Sequence, residues 1–268
     1  MPYAQLSGVN LFYTDEGRQD GTPILFIHGW TCDSNDWIWQ LPAFTSRYRV
    51  IAPDLRGHGR SEAPASGYSR RQFAADLVEL LQALDASPAI VVGHSLGGVV
   101  GAVMSVEHPE HVLASVMVDP AYGYNEQEAR GGAAFAAKLA EPGGIETVAG
   151  FFASLEAPST DPALVTWHRR RALGTPLHVV VEVPSDPLNE RDEIVNRPMC
   201  DAYMKRRSQP VLSVQAKEPR AAWEEDTLTD PRSRVVAWAG AGHWLHQERP
   251  DEFNSLVLSW LAEAQITP

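Results

Sequence analysis

At 268 residues, 44% of them hydrophobic, the chain is sized for one large α/β domain or for such a domain carrying an insertion. Its net charge of −12 argues against nucleic acid and anionic membrane surfaces as partners, because both attract basic patches. Cys32 and Cys200 form no CxxC pair, Met1 to Gln5 lack a signal-peptide pattern, and no apolar run is long enough to span a bilayer, so a cytoplasmic protein without disulfide or zinc framework is expected.

Taken in chain order, residues 3–6 and 9–15 read as an antiparallel edge hairpin. Short apolar runs rich in β-branched residues follow at 24–27, 48–52, 90–92, 112–118, 211–214 and 235–238. Such runs lack alternation and suit buried parallel strands. Between them, 69–84 places Phe73, Leu77, Leu80, Leu81 and Leu84 on one helical face. Ser69 and Gln72 form a predicted capping box, with Tyr68 stapled onto Phe73. The rhythm breaks at 121–207, where Ala-rich stretches predict helices over 126–140, 144–153, 162–173 and 189–206. A last helix starts at Pro250 and lines up Phe253, Leu256, Val257, Trp260 and Leu261. The expected fold is α/β: a doubly wound, mostly parallel eight-stranded sheet with flanking helices and an inserted helical cap. Residues 1–120 and 208–268 would form the core domain and 121–207 the cap.

Three motifs carry chemistry. The strand at 90–92 runs into Gly93-His94-Ser95-Leu96-Gly97 and then into a helix. A sharp strand-to-helix turn needs small neighbours, lifts the serine hydroxyl to the strand end, and sets a helix N-terminus beneath developing negative charge. The strand at 24–27 ends in His28-Gly29-Trp30, where the N–H of Trp30 could pair with that of Leu96 as an oxyanion hole and Gly29 would let the backbone approach a substrate. His28 reads as a brace for this loop. Gly242-His243-Trp244 follows the last strand and offers a base on a loop. His246, His168 and His178 compete with His243 for that role, whereas His108 and His111 read as surface residues.

These motifs, in this order and with Asp54-Leu55-Arg56-Gly57-His58-Gly59-Arg60-Ser61 after the fourth strand, resemble the α/β-hydrolase superfamily. The last run is similar to a loop of capped esterases, dehalogenases, epoxide hydrolases and haloperoxidases, where it is mostly structural. The resemblance implies a triad acid after the seventh strand, but there the chain reads Pro210-Val211-Leu212-Ser213-Val214-Gln215-Ala216-Lys217-Glu218-Pro219, with proline where the aspartate belongs. The second family location, after the sixth strand, holds Asp119, which is preferred over Glu218 and Asp226.

Serine at the elbow favours acyl transfer to water through Ser95, His243 and Asp119, on an ester or lactone. Gly29, Trp30, Tyr122, Trp167 and Trp244 are the expected substrate contacts, and the aromatic content around them, with Trp37, Trp39 and Tyr124, points to a medium-sized hydrophobic or aromatic substrate. No cofactor is needed, and no metal motif occurs in the sequence. The expected partner is a small molecule, and the assembly is compatible with a homodimer. The alternative is a cofactor-independent dioxygenase of the same fold, in which a His243–Asp119 dyad deprotonates a hydroxy-quinolone. Perhydrolysis and a non-catalytic ligand receptor are the remaining readings.

Overall fold

Apolar runs that never alternate must be covered on both faces, and the fold covers them. The computed structural model describes residues 3–185 and 193–266. Its strands are β1 (Tyr3–Leu6), β2 (Val9–Gly17), β3 (Pro23–Ile27), β4 (Arg49–Pro53), β5 (Ala89–His94), β6 (Val112–Val118), β7 (Val211–Gln215) and β8 (Arg234–Ala237). They form one eight-stranded sheet in the order β1-β2-β4-β3-β5-β6-β7-β8. β1 pairs with β2, and β2 with β4, antiparallel; every later pairing is parallel.

Alternate side chains of the buried strands enter two different cores. Leu25, Ile27, Val91 and Met117 pack with α2 (Arg70–Ala83) and α3 (Leu96–Glu107). Ile24, Phe26, Ile90, Val92 and Val116 pack with Trp37, with Phe44 of α1 (Leu41–Phe44), and with Phe253, Val257 and Trp260 of α11 (Pro250–Glu263). α2 begins as expected: Ser69 Oγ accepts from Gln72 N at 3.2 Å, and the Tyr68 and Phe73 rings lie 6.3 Å apart. Only half of the predicted capping box forms. The Gln72 amide instead donates to Asp76 Oδ1 at 3.0 Å, because that buried carboxylate, paired with Arg56 at 2.5 Å, needs donors.

Between β6 and β7 lie α4 (Glu126–Leu139), α5 (Gly144–Ala153), α6 (Pro162–Gly174), α7 (Leu177–Ser185) and α8 (Met199–Met204). The first three match the expected helices. α7 is not foreshadowed by its sequence, since its Val179, Val180, Val181 run has weak helix propensity and is held by burial of Val179 and Val180. The single helix expected over 189–206 is not found; residues 189–192 lie outside the described ones, and only Met199–Met204 is helical. Around Asn196 the backbone is committed elsewhere: Tyr124 N donates to Val195 O and Arg197 N to Tyr124 O, both at 2.9 Å. Pro198 then has no N–H to give a helix. After β7 and β8 come α9 (Glu218–Glu225) and α10 (Leu245–Glu248).

A buried polar cluster joins the two ends of the segment between β6 and β7 to α9 and the turn after it. Arg207 Nη1 donates to Glu224 Oε1 at 2.8 Å, Arg207 Nη2 to Thr227 Oγ1 at 2.7 Å, and Tyr122 OH to Glu224 Oε1 at 3.0 Å. Removing one partner of a buried pair strands the other charge. Glu224→Ala is expected to lower unfolding free energy by about 3–5 kcal/mol in urea titration; a loss below about 1 kcal/mol would mean that Arg207 finds water instead.

Candidate active site

The parallel neighbours β3, β5 and β6 bring three chain-distant loops together at their C-terminal ends. β5 ends at His94, α3 starts at Leu96, and Ser95 between them adopts φ 52°, ψ −112°. That conformation costs a non-glycine residue on the order of 1–3 kcal/mol. It is held by hydrogen bonds on both sides: Ser95 N donates to Val118 O at 2.9 Å, and Ala121 N donates to Ser95 O at 3.2 Å. The turn is tight enough that a Cβ on Gly97 would collide with the carbonyls of Ile27 and His28. At Gly29 a Cβ would stand 2.9 Å from His94 Nδ1 and 3.4 Å from Ser95 Cβ, so the loop after β3 touches the serine turn.

The loop after β8 closes the arrangement. His243 Nδ1–H donates to Asp119 Oδ2 at 2.6 Å, and Asp119 Oδ1 accepts from Ala216 N at 3.1 Å. The segment after β7, the other family location for the acid, thus contributes a donor to Asp119. Glu218 is the exposed first residue of α9, and Asp226 is exposed at its C-terminal cap. Burial pushes the Asp119 carboxyl up, but the hydrogen bond and charge of His243, the Ala216 N–H and Arg220 outweigh it and hold the group below its ordinary value. The His243 loop is pinned by its own N–H to Leu155 O at 3.0 Å and by Gly242 N to Glu248 Oε2 at 2.8 Å.

The other histidines fall into place by their partners. Leu55 N donates to His28 Nε2 at 2.9 Å, which leaves the His28 proton on Nδ1 for Gly29 O at 2.7 Å; His28 braces the loop. His58, buried and pushed down to about 3 by desolvation and by the charge of His28, donates to Arg56 O at 2.8 Å. His246 is fully buried, 4.3 Å from the Trp37 ring, and does not meet Asp119. His168 Nδ1 faces Glu156 at 2.6 Å, His178 Nε2 faces Pro64 O at 3.0 Å, and His111 Nδ1 faces Ser87 Oγ at 2.6 Å.

The expected substrate contacts divide. Trp30, half-buried, meets Phe152 and Phe135 of the inserted helices edge-on at 5.6 and 6.3 Å, an aromatic wall above the Gly29 loop. Trp244 is buried and stacks on His168 at 3.8 Å. Tyr122 is not a pocket residue: it is fully buried in the Arg207–Glu224 cluster, where its hydroxyl is needed. Trp167 faces Trp39 at 5.7 Å in a cleft of about 650 Å³ that also includes Thr160, Asp161 and Arg249 but none of Ser95, His243 and Asp119. Sequence does not single out Phe135 and Phe152, because aromatic residues on amphipathic helices read equally well as packing. Nor does it foreshadow the grouping of Asp36, His94 and His246, whose ligand atoms lie within 4.8 Å of one another. These residues are far apart in sequence, and Arg171 of α6 forms an ion pair with Asp36, supplying the counter-charge there.

The alpha/beta hydrolase family model matches residues 24–256. The chain belongs to this family. Over 113 residues this hydrolase-family chain is 44% identical to a non-heme chloroperoxidase of Streptomyces lividans, covering 41% of each protein. Over 112 residues it is 37% identical to a bifunctional esterase/perhydrolase of Acinetobacter calcoaceticus, again 41% of each. The matches therefore span about two-fifths of these relatives. The enol-lactonase of Burkholderia xenovorans LB400 shares the fold, with a TM-score of 0.83 at 20% identity over 97% of this chain and 100% of that one. No helix among the described residues is long and apolar enough to cross a membrane.

Because the Asp119 carboxyl is held below its ordinary value in the folded state, its ionised form stabilises the fold fully above about pH 4, and that contribution is lost as pH falls through the lower folded value. Asp119→Asn is therefore expected to be less stable than wild type at pH 7, with the gap shrinking as pH drops below about 4. Urea titrations at both ends check this; a gap independent of pH would contradict it.

Proposed function

We propose that the chain is a serine hydrolase cleaving a carboxylic ester or lactone of a medium-sized hydrophobic or aromatic substrate. The observation that carries this is the 2.6 Å hydrogen bond from His243 Nδ1 to Asp119 beside the strained Ser95 turn. With Nδ1 engaged, the imidazole keeps Nε2 for proton transfer. Ser95 Oγ attacks the carbonyl while His243 accepts its proton. The N–H groups of Trp30 and Leu96 take the oxyanion. The proton passes to the leaving alkoxide, which departs and leaves an acyl group on Ser95. Water, deprotonated by His243, then releases the acid. Gly29 and Trp30, with Phe135 and Phe152 above, form the apolar contact surface, and α4–α8 act as the cap. The enzyme works in the cytoplasm on a small molecule, without nucleic acid or membrane partners. The esterase/perhydrolase named among its relatives supports acyl transfer, and hydrogen peroxide in place of water would release a peracid.

A second reading, cofactor-independent dioxygenation, draws on the same His243–Asp119 pair, which could deprotonate a hydroxy-quinolone without Ser95. The Ser95 turn disfavours it, since that reading gives the strained serine no bond to make.

Chromogenic aryl-ester turnover, measured with oxygen uptake on a hydroxy-quinolone, separates the two. Ester hydrolysis is expected in wild type and is expected to fall at least about a thousandfold in Ser95→Ala. Untouched esters with oxygen consumed in both proteins would overturn the hydrolase reading.

A further inference from the structure

We infer that His94, the residue before the nucleophile, is a positioning residue for His243, backed by side chains from the inserted helices. The inference rests on His243 being the base of the proposed hydrolase. His94 is fully buried, and its Nε2 lies 3.0 Å from the backbone carbonyl of His243. A carbonyl only accepts, so the His94 proton sits on Nε2 and Nδ1 is left bare. Among the described residues that Nδ1 has no hydrogen-bond partner. The ring is wedged in place, with the Gly29 backbone against Nδ1, the His243 ring at 4.6 Å and the His246 ring at 4.8 Å. One rigid side chain therefore touches the loop after β3, the serine turn and the base.

A leucine would fill such a space without the cost of burying a half-satisfied imidazole. The one bond that the buried ring makes goes to the catalytic loop. Burial, with the charges of His243 and His246 adding to it, drives His94 far below the ordinary histidine value. The ring stays neutral while His243 becomes an imidazolium beside it, so the two never repel as like charges.

The support behind His94 comes partly from α6. Its Arg171 pairs with Asp36, and its His168 stacks on Trp244 and reaches Gln247 Oε1 at 2.8 Å. Trp244 and His246 then pack against the His94 ring. The arrangement transmits the seating of α6 to the carbonyl of His243.

The test compares His94→Leu, which removes the donor, with His94→Gln, whose amide N–H can reach the same carbonyl, in the full chain with an aryl ester. His94→Leu is expected to lower kcat about 10- to 100-fold at nearly unchanged KM, and His94→Gln to recover most of it. The far-downfield proton resonance of an imidazole N–H bonded to a carboxylate, here His243 to Asp119, is expected in wild type and His94→Gln and weakened in His94→Leu. If His94→Leu does not fold, His94→Asn, whose shorter amide falls short of the carbonyl, must show the same loss. Wild-type kcat and resonance in the donor-free variant would overturn the inference. So would one equivalent of zinc bound by wild type and needed for activity, since Asp36, His94 and His246 would then be metal ligands. Labelling of wild-type Ser95 by a fluorophosphonate keeps the two readings apart. No labelling and no ester turnover sink the hydrolase reading, while the resonance comparison still decides the role of His94.

Discussion

Everything at this site depends on a serine held where an L-residue prefers not to be. Ser95 can keep φ 52° only because its N–H and carbonyl are both bonded and because Gly97 lets α3 lie against the end of β3. The strain is offset by the sheet, whose central strands are buried. A looser sheet would let the turn relax, and the hydroxyl would drop from the strand end. Asp119 repeats the pattern on the neighbouring strand, with φ 38° just past the end of β6 and its N–H donated to Val214 O at 2.8 Å. Two strained residues on adjacent strands give Ser95 and Asp119 a fixed spacing that flexible loops could not.

The histidine is held differently. His243 sits on a loop, and its order comes from hydrogen bonds to Leu155, Asp119 and His94, and from Glu248 on the neighbouring Gly242, rather than from a regular element. Leu155 lies in the segment between β6 and β7, so that segment takes part in fixing His243 as well as in placing Phe135 and Phe152 against Trp30. The placement of the aromatic rings against Trp30 and the seating of His243 are thereby coupled through one segment of the chain. The buried Arg171–Asp36 and Arg207–Glu224 pairs tie this segment and its flank to the rest of the fold, and each loses much if one partner is removed.

Much of this is legible in the amino-acid sequence alone. The strands at 24–27, 90–92 and 112–118, the serine turn and His243 after the last strand follow from local patterns, because non-alternating apolar runs, glycine spacing and strand-to-helix order are properties of short segments. The helix expected over 189–206 does not follow in the same way, because a proline and one pair of backbone hydrogen bonds to Tyr124 override a helical pattern. Tyr122 and Trp167 depart from their expected places for a related reason: an aromatic residue near a site in sequence carries no sign of the direction in which it points.

The sequence by itself determined the alpha/beta architecture, the serine turn at 93–97, the place of His243 after the last strand and the bracing part of His28, since each is tied to a motif read within a few residues. Only the tertiary structure decided that Asp119 rather than Glu218 meets His243, that Phe135 and Phe152 face Trp30, and that His94 Nε2 meets the His243 carbonyl. These are distances between residues up to 149 positions apart. A hydrogen bond is made or lost within a fraction of an ångström, a tolerance that packing imposes and spacing along the chain cannot express.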